Sequence, residues 1–252
     1  MLQTPKLNSA HISEFKSNGF VVNTGGFSAE DIAIIDDWTS KLALAPEEVG
    51  KHWVYHEPSH FDKSDLLINR IENIAPFHEG FNFLAKCLSY SIGQLMSEKV
   101  VLFKDKINFK MPGGDGFKPH QDVQAGWGSY ASYFISAMVC IDEATEENGC
   151  LKLANNRKNN LIGSIWEPLK DSELANLTFR SQPTRPGDII YFDSYVPHYS
   201  EPNKTNHSRR LYFATYNLFS EGNHSVAYFS DKRKNYPPDI EREEGKEYVF
   251  RV

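Results

Sequence analysis

From residue 100 onward the chain is cut into short runs rich in β-branched and aromatic residues: Val100 to Phe103, Lys106 to Lys110, Tyr133 to Val139, Asp188 to Phe192 and Arg210 to Tyr216. Turns rich in Gly, Pro and Asn separate them, which is the signature of strands. Such runs bury their apolar faces only against one another, so the pattern confines this part of the chain to a β-sandwich or jelly roll. The first hundred residues read differently. Residues 9 to 45 carry a helical pattern with a break, in which Gly19-Phe20-Val21-Val22 is strand-like and Ser28-Ala29-Glu30-Asp31 caps the periodic Ile32, Ile35, Trp38 and Leu42. A second amphipathic helix is predicted over about 76 to 97, with Phe77, Phe81, Leu84, Leu88 and Ile92 on the side that packs on a sheet.

Between them, residues 46 to 80 read as irregular and rich in His and Pro. The part from 46 to 75, with His52, Trp53, His56 and His60, is the expected lid, because long irregular segments in compact domains are often functional. Residues 1–252 are expected to form a single domain: a helical layer and lid over 1–99, a β core over 100–220 and a C-terminal extension over 221–252.

Charge and cysteine content narrow the function. With 27 Lys and Arg against 33 Asp and Glu, the net charge is −6, which argues against nucleic-acid or membrane-surface partners and leaves a small molecule. Any anionic ligand must then be held by local basic groups. Cys87, Cys140 and Cys150 are odd in number and widely spaced, with no CxxC pair. No signal-like apolar run follows the N-terminus and no 18-residue apolar stretch occurs, so a soluble cytoplasmic protein is expected. Nothing in the sequence specifies an oligomeric state.

The chemistry-bearing constellation is His120-Gln121-Asp122, followed by His198 and Arg209. Two imidazoles and one carboxylate occupy one face of a six-coordinate iron(II) ion and leave three positions for a chelating co-substrate and dioxygen. Roughly one His-x-Asp/Glu triplet is expected by chance in a chain of this composition, and His60-Phe61-Asp62 is such a decoy. Context separates the two. His120 ends a turn-forming run after a strand, and a one-residue spacer on a strand points both side chains to one face. His198 closes the segment Pro186 to Pro197, a turn and a strand that run to it. Arg209 and Arg210 must face opposite ways on a strand, so only one enters the barrel. A planar guanidinium there would clamp a carboxylate bidentately.

These residues resemble the phytanoyl-CoA dioxygenase-like family of iron(II)- and 2-oxoglutarate-dependent oxygenases. The resemblance rests on Lys118-Pro119-His120-Gln121-Asp122, Glu147-Asn148-Gly149-Cys150-Leu151, Arg185-Pro186-Gly187-Asp188, His198-Tyr199-Ser200 and Arg209, covering about residues 105 to 220. It implies a cupin-like double-stranded β-helix with a helical N-terminal layer, His120, Asp122 and His198 as iron ligands, and Arg209 on the far carboxylate of 2-oxoglutarate, supported by Ser200. Family relatives that halogenate carry Ala or Gly at the Asp122 position, so the carboxylate implies hydroxylation. Further candidates for the co-substrate are Asn108 and Gln121.

For the substrate, Lys104, Lys106, Asn108 and Lys110 alternate along one strand and share a face. Gln124, Trp127, Tyr130 and Tyr195 lie near the ligands in sequence, and Arg70 and Lys118 are additional candidates for holding an anion. The ending from Lys232 to Glu243 resembles the small bacterial branch of the family, which includes hydroxylases of 2-aminoethylphosphonate; on composition alone it reads as a solvated surface. Hydroxylation of an acyl thioester or secondary metabolite, or a non-catalytic cupin-like metal-binding role, are the competing readings.

Overall fold

The computed structural model describes residues 2–155 and 160–249. In chain order these form α1 (Ser9–Asn18), β1 (Phe20–Asn23), α2 (Ala29–Leu44), β2 (Trp53–Pro58), β3 (Leu66–Glu72), α3 (Glu79–Met96), β4 (Val100–Lys110), β5 (Phe117–His120) and β6 (Phe134–Cys140). There follow β7 (Leu151–Ala154), α4 (Asp171–Leu174), β8 (Phe179–Gln182), β9 (Ile189–Asp193), β10 (His198–Ser200), β11 (Arg209–Leu218) and α5 (Ser225–Asn235).

The first helices begin where their side chains satisfy orphan amides. Asn8 and His11 make a reciprocal capping box for α1, and Ser28 and Asp31 make one for α2. Helix α3 is capped by His78 Nδ1, which accepts the Phe81 amide at 3.2 Å. Its Phe81, Leu84, Leu88 and Ile92 are fully buried, whereas Phe77 lies before the helix and is exposed. Helix α2 crosses it at Gly80, where a Cβ would meet the Trp38 ring at 2.7 Å.

Two antiparallel sheets face one another. The larger runs β1-β9-β6-β11-β4-β3-β2 and the smaller β5-β10-β7-β8, the arrangement of a jelly roll. Along β11 the side chains of Tyr212, Ala214 and Tyr216 join the helix-side core, while Arg209, Leu211, Phe213 and Thr215 face the space between the sheets. Strand β4 divides likewise, with Ile107 and Phe109 toward the helices and Lys104, Lys106 and Asn108 inward. This is the period of two that any pleated strand imposes.

One expectation is corrected here. Segment 46–75, read as an irregular lid, contains the hairpin β2–β3, which extends the larger sheet beside β4. Trp53, Val54, Tyr55, Arg70, Ile71 and Glu72 are all buried. Trp53 and Tyr55 pack in one buried cluster and Val54 in another, so both faces of β2 are covered and no apolar–polar alternation marks the strand in sequence. The larger sheet therefore draws three strands from the first 99 residues.

A buried carboxylate fixes how α3 is reached. Asp105 on β4 accepts the amides of Ile74 at 3.0 Å and Ala75 at 2.9 Å, and the Tyr212 hydroxyl at 3.3 Å. Asp105→Ala should lower the unfolding free energy by about 3 kcal/mol, because it strands three buried donors. Urea denaturation reads this, and a loss below about 0.5 kcal/mol would contradict the account.

Candidate active site

The space between the sheets is a cavity of about 490 Å³. The register orders its floor into rows. Lys110 pairs with Arg209, then Arg70 and Leu211 flank Asn108, then Glu72 and Phe213 flank Lys106, and finally Thr215 pairs with Lys104. Successive rows are about 7 Å apart along the strand.

The smaller sheet supplies the opposite wall. His198 on β10 lies directly across from His120 on β5, and the two rings are 4.3 Å apart between centroids. Asp122 Oδ1 is 4.0 Å from His120 Nε2. One donor atom from each of His120, Asp122 and His198 falls within 4.8 Å of the others, the one such group among the described residues. Contrary to the expectation of a single strand, β5 ends at His120 and Asp122 opens a 3-10 turn over Asp122–Ala125. Gln121 between them keeps an extended backbone, φ −109° and ψ 134°, which preserves the common face.

The protonation states suit a cation. His120 Nδ1 pairs with the Lys118 carbonyl at 2.7 Å and His198 Nδ1 with the Val196 carbonyl at 2.9 Å. Each ring thereby donates from Nδ1 and turns its Nε2 lone pair to the cavity. Burial, reinforced by His198, pushes His120 down to about 3, so the ring is neutral at physiological pH. Burial opposes ionisation of Asp122, but the electrostatic pull of His198, Lys104 and Lys106 outweighs it and holds the carboxyl below its usual range. Two imidazoles presenting Nε2 and one carboxylate fit a divalent transition metal.

At one end of the cavity stands Arg209, 2% exposed, whose Nε has no hydrogen-bond partner. Burial lowers it to about 10, which leaves it charged at neutral pH. Arg210 points the other way into Asp142, with bonds of 2.6 and 2.7 Å, and toward Asp36. Beside Arg209, Lys110 Nζ donates to Ser200 Oγ at 2.8 Å and to the Glu201 carbonyl. Burial and the Arg209 charge push this lysine down to about 6. Gly149 presses on the same spot. At φ +77° it takes a conformation that disfavours side chains, and a Cβ would meet the Glu201 carbonyl at 2.1 Å. Gly149→Ala should cost about 2 kcal/mol and push β10 off its position. An unchanged denaturation midpoint would contradict that contact.

The phytanoyl-CoA dioxygenase family pattern (PhyH) matches residues 15–211. The chain belongs to that family. It is 43% identical over 245 residues to a 2-aminoethylphosphonate dioxygenase of an uncultured bacterium (HF130_AEPn_1), covering 94% of this chain and 91% of that protein. It is 30% identical over 236 residues to a methylphosphonate hydroxylase of Gimesia maris, covering 91% and 88%. Among solved structures, EctD from S. alaskensis with 2-oxoglutarate and 5-hydroxyectoine superposes with a TM-score of 0.73 at 22% identity, over 85% of this chain and 77% of that one. That likeness concerns the jelly-roll fold. This phytanoyl-CoA dioxygenase family member is thus a dioxygenase acting on a small molecule, with a His-Asp-His group able to hold a metal ion.

Within the family frame, the sequence candidates divide. Asn108, Lys106, Trp127, Ser200 and Arg209 line the cavity, as do Arg70, Lys104 and Tyr130. Gln121 does not: its Nε2 donates to the carbonyls of Asn160 and Tyr195 and its Oε1 accepts the Ile162 amide, so the amide is spent on loop closure. Gln124 likewise holds the Ser164 and Glu167 carbonyls and the Gln121 amide. Tyr195 stacks on Tyr133 away from the cavity. Lys118 is exposed and serves through its carbonyl. The decoy His60 is exposed and faces Asp115.

The C-terminal extension contributes what sequence reading missed. Lys232 on α5, read as part of a solvated run, reaches inward to pair with Glu72. Tyr228 and Tyr236 from the same region also line the cavity, with Tyr236 stacked on Tyr55 at 5.3 Å.

Proposed function

We propose that His120, Asp122 and His198 hold the iron, that Arg209, with Ser200 and Asn108, receives the far carboxylate of 2-oxoglutarate, and that the enzyme hydroxylates an aminoalkylphosphonate such as 2-aminoethylphosphonate at the carbon next to phosphorus. The observation that carries this reading is the two-ended cavity: an unpaired guanidinium at one end, the convergent donor set facing the middle, and a basic wall at the other. The names of the two curated relatives, both acting on phosphonates, support the same substrate class.

Bound iron supplies activation of dioxygen coupled to decarboxylation of 2-oxoglutarate to succinate, with one oxygen atom delivered to the substrate carbon. The chain's own part is positional. The Lys118 and Val196 carbonyls hold the two rings in the tautomer that exposes Nε2. Asp122 fills the third protein position, which favours hydroxylation over halide transfer. Arg209 gives the co-substrate one bidentate anchor and hence one orientation. Phe117, Phe192 and Phe213 wall the cavity between these groups and limit water there.

A basic far wall suits a compact anion better than the acyl chain of a thioester, which is the competing reading. A cytoplasmic location, without nucleic-acid or membrane partners, is supported by three free, buried cysteines and by a net charge of −6. No helix among the described residues is long and apolar enough to cross a membrane. The test is a panel of aminoalkylphosphonates, acyl-CoA esters and amino acids scored by succinate release. Release driven by the phosphonates is expected; release driven only by acyl-CoA esters would overturn the assignment.

A further inference from the structure

The basic wall is not uniform. Four cations reach it, Arg70, Lys104, Lys106 and Lys232, around one fully buried carboxylate, Glu72. Burial alone would raise the Glu72 carboxyl, but Lys232 and Arg70 outweigh that and keep it ionised. Glu72 takes Arg70 Nε at 3.0 Å and pairs with Lys232 Nζ. Two cations are therefore committed to it. Lys104 and Lys106 are not. Among the described residues neither makes an ion pair: Lys104 Nζ has only the Tyr228 hydroxyl at 3.4 Å and sits 4.8 Å over Trp127, while Lys106 Nζ lies 5.2 Å over Phe213 and 5.7 Å over Phe117.

Two amines pointing into one aromatic-walled space have surrendered hydration, and burial together with the Lys104 charge pushes Lys106 down to about 7, a state that an arriving anion relieves by favouring the ammonium form. Neither has a carboxylate in direct contact, since Glu72 is held by Arg70 and Lys232 and acts on the two lysines only from a distance. The order along β4 also matters. Lys106 is four residues and Lys104 six residues from Lys110, which pairs with Arg209, so the two lysines lie roughly 13 and 20 Å from the co-substrate's anchor. Asp122 nevertheless acts on both of them electrostatically.

We propose that Lys104 and Lys106 together form the receptor for a dianionic tetrahedral group, the phosphonate of the substrate, with Glu72 as the positioning residue that locks Arg70 and Lys232 behind them. The proposal rests on the functional reading above and deepens it. Seating the anion at these two lysines, beside Asp122, puts the carbon attached to phosphorus nearest the metal position, which accounts for oxidation at that carbon rather than at the amine end. It also predicts selection by charge. A sulfonate of the same shape carries one negative charge where the site presents two unpaired cations.

The experiment measures binding by calorimetry to the anaerobic enzyme loaded with iron(II) and 2-oxoglutarate at pH 7, with 2-aminoethylphosphonate and 2-aminoethylsulfonate as probes. The phosphonate should bind at least about 10-fold more tightly than the sulfonate, and Lys104→Met and Lys106→Met should each weaken the phosphonate by about 10- to 100-fold. The visible band of the iron–2-oxoglutarate complex should be unchanged in both variants, which reports an intact fold and an intact co-substrate site. Equal affinity for the two probes, or wild-type phosphonate affinity in both variants, would overturn the receptor. Phosphonate binding that both variants lose, with no succinate released by any aminoalkylphosphonate, would uphold the receptor and overturn the hydroxylation reading.

Discussion

His198→Ala should leave the protein folded and unable to retain iron, with a loss in iron(II) affinity greater than about 100-fold. Losing a hydrogen-bond partner behind a ligand already costs 10- to 100-fold in metal sites, and removal of the ligand itself must exceed that. His198 is the donor that the smaller sheet brings across from His120, and with it gone only His120 and Asp122 face the metal position. No other residue replaces it, since no second group of His, Cys, Asp or Glu with ligand geometry occurs among the described residues. Metal content after anaerobic gel filtration measures the effect, with His60→Ala as control because that imidazole pairs with Asp115 on the surface. One equivalent of iron retained by His198→Ala would refute the ligand set.

The second large effect is expected at Arg209. Arg209→Ala should weaken 2-oxoglutarate by about 2 to 4 kcal/mol, or roughly 30- to 1,000-fold, through loss of a charge-assisted bidentate contact in a buried site. The guanidinium is 2% exposed and its Nε lacks a protein partner, which leaves it able to take a ligand carboxylate. Arg209→Lys should recover only part of the loss, because an ammonium cannot present the planar fork. Titrating the visible band of the anaerobic iron complex with 2-oxoglutarate separates the three proteins. Wild-type affinity in Arg209→Ala would remove the clamp from this position.

The accuracy of the sequence reading followed the regularity of the backbone. On β4 and β11, where pleating is nearly continuous, the period of two separated Arg209 from Arg210 and put Lys106 and Asn108 on the cavity face. Near the donor set, closeness in sequence is not closeness in space. Gln121 and Gln124 lie within two residues of Asp122, yet three-residue spacing in a 3-10 turn puts both on the side facing the loop at 160 to 167. The β2–β3 hairpin is masked in sequence by burial on both faces, and Lys232 by a basic run indistinguishable from a solvated helix face.

Residue identity and spacing by themselves determined the β architecture and singled out His120, Asp122 and His198, which the fold gathers, and Arg209, which it places on the cavity wall, because each depends on local periodicity or on functional groups whose chemistry is intrinsic. Only the tertiary structure decided which cations share one wall. Arg70, Glu72, Lys104, Lys106 and Lys232 come from β3, β4 and α5, and sheet pairing and helix packing bring them together. Burial then turns ordinary surface residue types into a charged interior, where a group without a partner is costly enough to recruit a ligand.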